Sequence, residues 1–119
     1  MITIFHNPRC SKSREALALV EDYAARRQEP VDVVEYLKTP PTEQQLATLL
    51  GQLHASARDI VRSNEEEYEA LGLAQADDAA LLKAVAAQPK LLQRPIVVYK
   101  GRAVIGRPPE RVRELLGAD

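Results

Sequence analysis

The chain has 119 residues, enough for one domain and too few for two independent cores. Apolar residues make up 45% and charged residues 28%, the balance of an ordinary globular domain. Sixteen cations against seventeen acids leave a net charge of −1, so no global basic field exists to grip nucleic acid or anionic lipid. Cys10 is the only cysteine, which excludes an internal disulfide and a zinc site built on several thiolates. Redox chemistry at Cys10 therefore needs a second thiol from another molecule. Tryptophan is absent and there is one phenylalanine, so a base-stacking platform is not expected.

The first residues, Met1-Ile2-Thr3-Ile4-Phe5, lack the basic flank and long apolar run of a signal peptide. No apolar run reaches the length of a membrane span. The expectation is a soluble, cytoplasmic monomer with no nucleic-acid or membrane partner. The free cysteine agrees with a reducing compartment.

Taken in chain order, Ile2–Phe5 is a short β-rich run stopped by His6-Asn7-Pro8. From Ser11 to about Ala25 the apolar residues Ala16, Leu17, Val20, Tyr23 and Ala24 share one helical face. After Pro30, Val31–Leu37 reads as a second strand. Strand, helix, strand in such close succession is a βαβ unit, which predicts that the two strands are parallel. Thr39-Pro40-Pro41-Thr42 breaks the chain, and Thr42 with Gln45 makes a capping-box signature. Behind it Leu46, Leu49, Leu50 and Leu53 carry a helical stripe. Residues 56–88 read as further short helices, broken at Gly72 and Asp77-Asp78. Leu81, Leu82 and Val85 form the last apolar face there, and Pro89 closes the block. Pro95–Tyr99 and Arg102–Ile105 flank Lys100-Gly101, a hairpin signal. Pro108-Pro109 then opens a final helix with Val112, Leu115 and Leu116 on its buried face. The order is β-α-β, a helical insertion at about 42–90, then β-β-α. The apolar stripes of the insertion need a partner, so residues 1–119 are read as a single α/β domain.

Cys10 falls between the first strand and the first helix. In α/β folds sites gather at the carboxyl ends of strands, beside helix N-termini. A thiol placed there meets free backbone N–H groups and the positive end of the helix dipole, and both favour the nucleophilic thiolate. The segment His6–Arg14 also contains Arg9, Lys12 and Arg14 and no acid. A polar, cationic turn is a poor place for a structural thiol, so Cys10 is read as reactive. His6 is positioned either to tune that thiol or to cap the strand through a backbone hydrogen bond. No second histidine lies at ligand spacing and His54 is expected on a helix surface, so no metal site is expected.

Three further arginines stand out by position. Arg94 precedes Pro95 at the mouth of the hairpin, Arg107 precedes Pro108-Pro109 at its far end, and Arg62 lies in the helical insertion. The planar guanidinium fork matches oxyanions. The alternative for each is a solvated side chain paired with a nearby glutamate, Arg62 above all, because Glu65-Glu66-Glu67 follows it.

The run His6-x3-Cys10-x3-Arg14, within His-Asn-Pro-Arg-Cys-Ser-Lys-Ser-Arg, resembles the active-site loop of the glutaredoxin-coupled arsenate reductases. Tyr36–Thr42, Val61–Asn64 with Tyr68–Leu73, Gln93–Val98 and Ile105–Glu110 are similar to further signatures of that family, in the same order along the chain. The resemblance implies a thioredoxin-like fold with a mixed four-stranded sheet, a helical insertion and a cis bond at Arg94-Pro95. It implies an oxidoreductase that reduces arsenate to arsenite. In it Cys10 would be the nucleophile, and Arg62, Arg94 and Arg107 would hold the oxyanion. His6 and Arg14 would help keep the thiol ionised. No bound cofactor is implied. Glutathione would serve as co-substrate and glutaredoxin as partner, which answers the missing second thiol.

Arg9 and Ser11-Lys12 differ from the Ala and Gly-Thr of the best-known arsenate reductases, and this version looks like a sister branch. Two other activities fit parts of the pattern. A monothiol glutaredoxin-like reductase of glutathione mixed disulfides would need only Cys10-x-x-Ser13. An RNA polymerase-binding regulator of the same fold would need no turnover, but its Cys-x-x-Cys switch is missing here because the second position is Ser13. A low-molecular-weight tyrosine phosphatase needs an arginine where this chain has Ala16.

Overall fold

A computed structural model describes residues 1–117, which fall into two compact units. The first comprises Met1–Tyr36 and the chain from Arg94 onward, and the second comprises Leu37–Gln93.

The first unit is built on four strands: β1 (Ile2–His6), β2 (Val31–Glu35), β3 (Ile96–Tyr99) and β4 (Arg102–Ile105). Their order in the sheet is β2-β1-β3-β4, with β1 parallel to β2 and antiparallel to β3. The sheet is therefore mixed, as expected. The β3–β4 connection is the two residues Lys100 and Gly101, both at positive φ (52° and 75°). Positive φ at both central positions is the turn that follows the twist of a hairpin, and glycine adopts it without steric cost.

Helix α1 (Ser11–Arg27) supplies the crossover between β1 and β2. Helix α5 (Glu110–Leu116) ends the described chain. Alternation along β1 turns Ile2, Ile4 and His6 to one face of the sheet. Ile2 and Ile4 join Val97 and Tyr99 from β3, Ala16, Val20 and Ala24 from α1, and Val112, Leu115 and Leu116 from α5 in one buried core. Leu17 and Tyr23, also on the predicted α1 face, are partly buried against this core.

Several element ends differ from the periodicity: β1 runs one residue further, to His6, and β3 starts one residue later, at Ile96. β2 stops at Glu35, because its partner strand ends at His6 and the last register pair is His6 with Glu35. Helix α1 runs on to Arg27, and Gln28 in the left-handed region (φ 55°) then turns the chain.

In the second unit, helix α2 (Glu43–Leu53) starts at the predicted capping box. The Gln45 N–H donates to Thr42 Oγ1 at 3.1 Å, and the Thr42 N–H donates to Gln45 Oε1 at 2.9 Å. Helix α3 (Glu66–Ala70) is a single turn, and α4 (Asp78–Ala87) is capped by Asp77, which accepts the Ala80 N–H at 2.9 Å. Short 3₁₀ turns at Ala57–Ile60, Leu73–Gln75 and Pro89–Leu91 complete the unit. Leu46, Leu49, Ile60, Leu73, Leu81, Val85, Leu91 and Leu92, with Ala57 and Val61, are among its buried apolar residues, whereas Leu50, Leu53 and Leu82 are only half-buried. His54 is exposed, but it ends α2 in a left-handed conformation rather than lying along a helix. Arg58 fastens the loops, donating to the Tyr68 hydroxyl and to the carbonyls of Leu73 and Ala76.

Gly106 follows β4, and its N–H donates to the Pro95 carbonyl at 2.8 Å. A Cβ there would lie 3.1 Å from Pro95 Cγ and 3.1 Å from Val112 Cγ2. Gly106→Ala is expected to lower unfolding stability by about 1–3 kcal/mol through this overpacking, measured by urea denaturation. Thr42→Ala, which removes one half of the α2 capping box, is expected to cost about 1 kcal/mol in the same measurement.

Candidate active site

Cys10 is the residue immediately before α1. β1 ends at His6, and a tight turn follows in which the Cys10 N–H donates to the Asn7 carbonyl at 3.0 Å. The Arg9 N–H donates to Asn7 Oδ1 at 3.0 Å, so Asn7 braces the turn with both its backbone and its side chain. The Cys10 carbonyl accepts the Arg14 N–H at 3.0 Å and opens the helix. No acid occupies the first turn of α1, so nothing there competes for the positive end of its dipole.

The thiol is partly exposed. Burial is the largest influence on it and pushes its pKa up. Against this act the backbone N–H of Ser13, the charge of Arg94, the N–H of Lys12 and a hydrogen bond from the Arg94 side chain. Together they outweigh burial and hold the Cys10 thiol below its ordinary value. The sulfur makes no close capping hydrogen bond to α1, so the two N–H groups act on it as aimed dipoles rather than as a closed cap.

Arg94 reaches this position at the start of the hairpin. The Arg94-Pro95 bond is cis, as the resemblance implied, and Arg107-Pro108 is cis as well. The hydrogen bond from Gly106 to Pro95 ties the two segments together, so Arg94 and Arg107 flank the same end of the hairpin. Arg94 Nε is buried and makes no hydrogen bond. Arg107 is exposed, and its backbone N–H donates to the Ile105 carbonyl at 2.9 Å.

Arg14 and His6 act on the loop. Arg14 Nη1 donates to the Pro8 carbonyl at 2.9 Å, clamping the turn that presents Cys10. His6 is buried, with Nδ1 2.6 Å from Ser13 Oγ. Burial lowers the His6 pKa and Arg14 lowers it further, while Glu35, Glu21 and the Ser13 backbone pull the other way; the net shift is downward. Arg62 belongs to the second unit. Its N–H donates to the Leu91 carbonyl at 2.7 Å, and its mostly buried side chain has Nη1 3.8 Å from Glu65 Oε1. The pairing with the glutamate run that the sequence suggested is therefore present.

The structure thus brings Arg94 to Cys10, and it brings His6 at the end of β1 to Ser13 in the first turn of α1. Ser13 and the N–H of Lys12 were not singled out as site residues from the sequence. The available signal was their position: second and third residues of a helix whose N-cap is the cysteine have N–H groups that face its side chain. Among the described residues, no group of three or more His, Cys, Asp or Glu side chains is placed to hold a metal ion. No helix among them is long and apolar enough to cross a membrane.

A mixed β2-β1-β3-β4 sheet, a helical segment between β2 and β3, and a cysteine at the β1–α1 junction define a thioredoxin-like domain with a thiol site. The chain belongs to the ArsC family, which it matches over residues 5–115. It is 47% identical over 118 residues to an arsenate reductase of Neisseria meningitidis, with 97% of each chain covered. It is equally similar, 47% over 119 residues, to the uncharacterized protein YfgD of Escherichia coli, covering 98% of this chain and 97% of that one. The solved structure of an arsenate reductase from Vibrio cholerae superimposes with a TM-score of 0.87 at 46% identity, covering 95% of both chains.

A favoured thiolate makes alkylation start at lower pH, because only the ionised sulfur reacts. The iodoacetamide reactivity of Cys10 is expected to rise with a midpoint below that of free cysteine, about 8.5. Arg94→Gln, which removes the neighbouring charge, is expected to move that midpoint upward.

Proposed function

We propose that this protein reduces arsenate to arsenite, with Cys10 as the nucleophile and with glutathione and glutaredoxin as the source of electrons. The observation that carries the reading is Arg94, which stands at the Cys10 thiol with a buried Nε that no protein group satisfies. A buried donor left unpaired is costly, and a tetrahedral oxyanion held beside the sulfur would supply its acceptor. The named activities of the similar reductases favour arsenate as that oxyanion.

In this reading the Cys10 thiolate attacks arsenic, a sulfur–arsenic bond forms, and one oxygen leaves as water. A glutathione thiolate then attacks the adduct. The two sulfurs join as a Cys10–glutathione disulfide, and the electron pair of the broken sulfur–arsenic bond stays on arsenic. Arsenic(V) becomes arsenic(III), and arsenite departs. A glutaredoxin thiolate takes the glutathione by thiol–disulfide exchange and returns Cys10 to its reduced form. The cytoplasm, where glutathione keeps a free thiol reduced, is the fitting compartment.

Arg94, with Arg107 of the same unit, has the task of cancelling anionic repulsion, since both thiolate and arsenate are negative. Arg14 and His6 contribute through the loop that presents the sulfur. The additional exposed cations Arg9 and Lys12 suit an anionic substrate and an anionic thiol donor.

The test is a coupled NADPH assay of the purified protein with arsenate, glutathione and glutaredoxin, run beside a glutathione mixed-disulfide substrate. Cys10→Ser is expected to abolish arsenate turnover. Arg94→Ala and Arg107→Ala are expected to lower kcat/KM for arsenate by roughly 10²-fold. Arg26→Ala, which removes only an exposed ion pair with Asp22 on α1, is expected to leave it unchanged. Turnover of the mixed disulfide alone, with arsenate ignored, would overturn the arsenate reading and leave a monothiol reductase.

A further inference from the structure

Ser13 is fully buried, although it stands in the first turn of α1, where Ser11, Lys12 and Arg14 are exposed. Its Oγ meets two groups. The Asn7 N–H donates to it at 3.0 Å, and His6 Nδ1 lies 2.6 Å away. The Ser13 backbone N–H is the foremost group favouring the Cys10 thiolate. One residue therefore touches the end of β1 and the turn through its hydroxyl, while its N–H acts on the nucleophile. We propose that Ser13 is the positioning residue for Cys10: its hydroxyl donates to a neutral His6 Nδ1 and accepts from Asn7, and this lock holds the Ser13 N–H against the sulfur.

The direction of the hydrogen bond follows from donor counting. A hydroxyl has one proton to give. If that proton points at Nδ1, the hydroxyl, the Asn7 N–H and the ring nitrogen are all satisfied. A protonated His6 would place an N–H on Nδ1, and the Ser13 proton would then need another acceptor within a buried site, at a cost. The neutral ring is the form the surroundings favour. Burial and Arg14 hold His6 below its ordinary pKa against the opposing pull of Glu35, Glu21 and the Ser13 backbone. Asn7 in turn accepts the N–H groups of Cys10 and Arg9, so fixing Asn7 through Ser13 fixes the turn on which the sulfur is carried. On this basis His6 influences the thiol through Ser13 rather than by contact with sulfur.

The inference rests on Cys10 being the nucleophile, but its test reads alkylation and does not depend on arsenate. Iodoacetamide rates are measured against pH for the wild type, Ser13→Ala, Ser13→Thr, His6→Ala and the Ser13→Ala/His6→Ala double variant. Ser13→Ala is expected to raise the Cys10 midpoint and to lower the rate at pH 6.5 by about 3- to 10-fold, as a rise of roughly half to one pH unit implies. Ser13→Thr, which keeps a hydroxyl, is expected to restore most of that rate. The double variant is expected to be no slower than the slower single variant, because both remove the same interaction. An unchanged midpoint in Ser13→Ala, or additive losses in the double variant, would overturn the proposal.

Nitrogen-15 shifts of the His6 ring in the wild type provide a second measurement that needs no variant. The exposed His54, the other histidine of the chain, is the internal reference. Nδ1 of His6 is expected to lack a proton and Nε2 to carry one at neutral pH. A proton on Nδ1 would overturn the proposal whether or not the variants fold.

Discussion

Keeping a sulfur negatively charged while partly withdrawing it from water is the constraint on which the first unit turns. Burial alone would protonate Cys10 and make it inert. The groups that oppose burial come from two distant parts of the chain. The N–H dipoles of Lys12 and Ser13 come from the start of α1, and the guanidinium of Arg94 comes from the start of β3. β1 lies between β2 and β3 in the sheet, so the turn after β1 and the segment before β3 are brought to the same end of it. The antiparallel pairing of β1 with β3 is thus what delivers Arg94 to a cysteine some eighty residues earlier in the sequence.

The second unit obeys a different economy. It has a buried apolar cluster of its own, and its loops are fastened by Arg58 to two carbonyls and a tyrosine hydroxyl. Residues 37–93 hold five cations and eight acids, whereas the rest of the chain holds eleven cations and nine acids. The near-neutral total therefore conceals a separation, with the excess of positive charge on the unit that carries the cysteine. Within the acidic unit, the Glu67–Lys90 ion pair and the Arg62–Glu65 contact neutralise part of the glutamate run. Arg62 is held by its own backbone bond to Leu91 as well, so its position is fixed by the bridge between Val61 and Leu92 rather than by its side-chain charge alone.

Much of this was readable in the residues because local rules were strong where they applied. The capping box at Thr42 and Gln45, the Lys100-Gly101 hairpin and the apolar faces of α1 and α5 each follow from chemistry within a few residues. The end of β2 did not, because it is set by where β1 stops and not by the β-rich character of Tyr36 and Leu37. The same division holds at the site. Cys10 was legible from its cationic turn and its position before a helix. Arg94 was legible as a candidate, but its contact with the thiol depends on strand pairing across the sheet. Ser13 was read only as the place where a second cysteine is missing. Its bond to His6 spans seven residues and crosses from strand to helix, a relation no helical or strand period describes.

Serine at the thirteenth position has a physical consequence beyond the absence of a resolving thiol. The Ser13 side chain points inward, to a buried histidine at 2.6 Å and to the Asn7 N–H at 3.0 Å. Sulfur is larger than oxygen and a weaker donor and acceptor, so a cysteine in this setting could not sustain a contact that short. The geometry that positions Cys10 and the geometry of an internal disulfide switch are therefore in competition for the same side chain. With serine, the chain keeps the short polar lock and gives up self-contained redox cycling, and any oxidation of Cys10 has to be reversed by a thiol from outside. A single cysteine and a buried serine three residues later are two aspects of one arrangement.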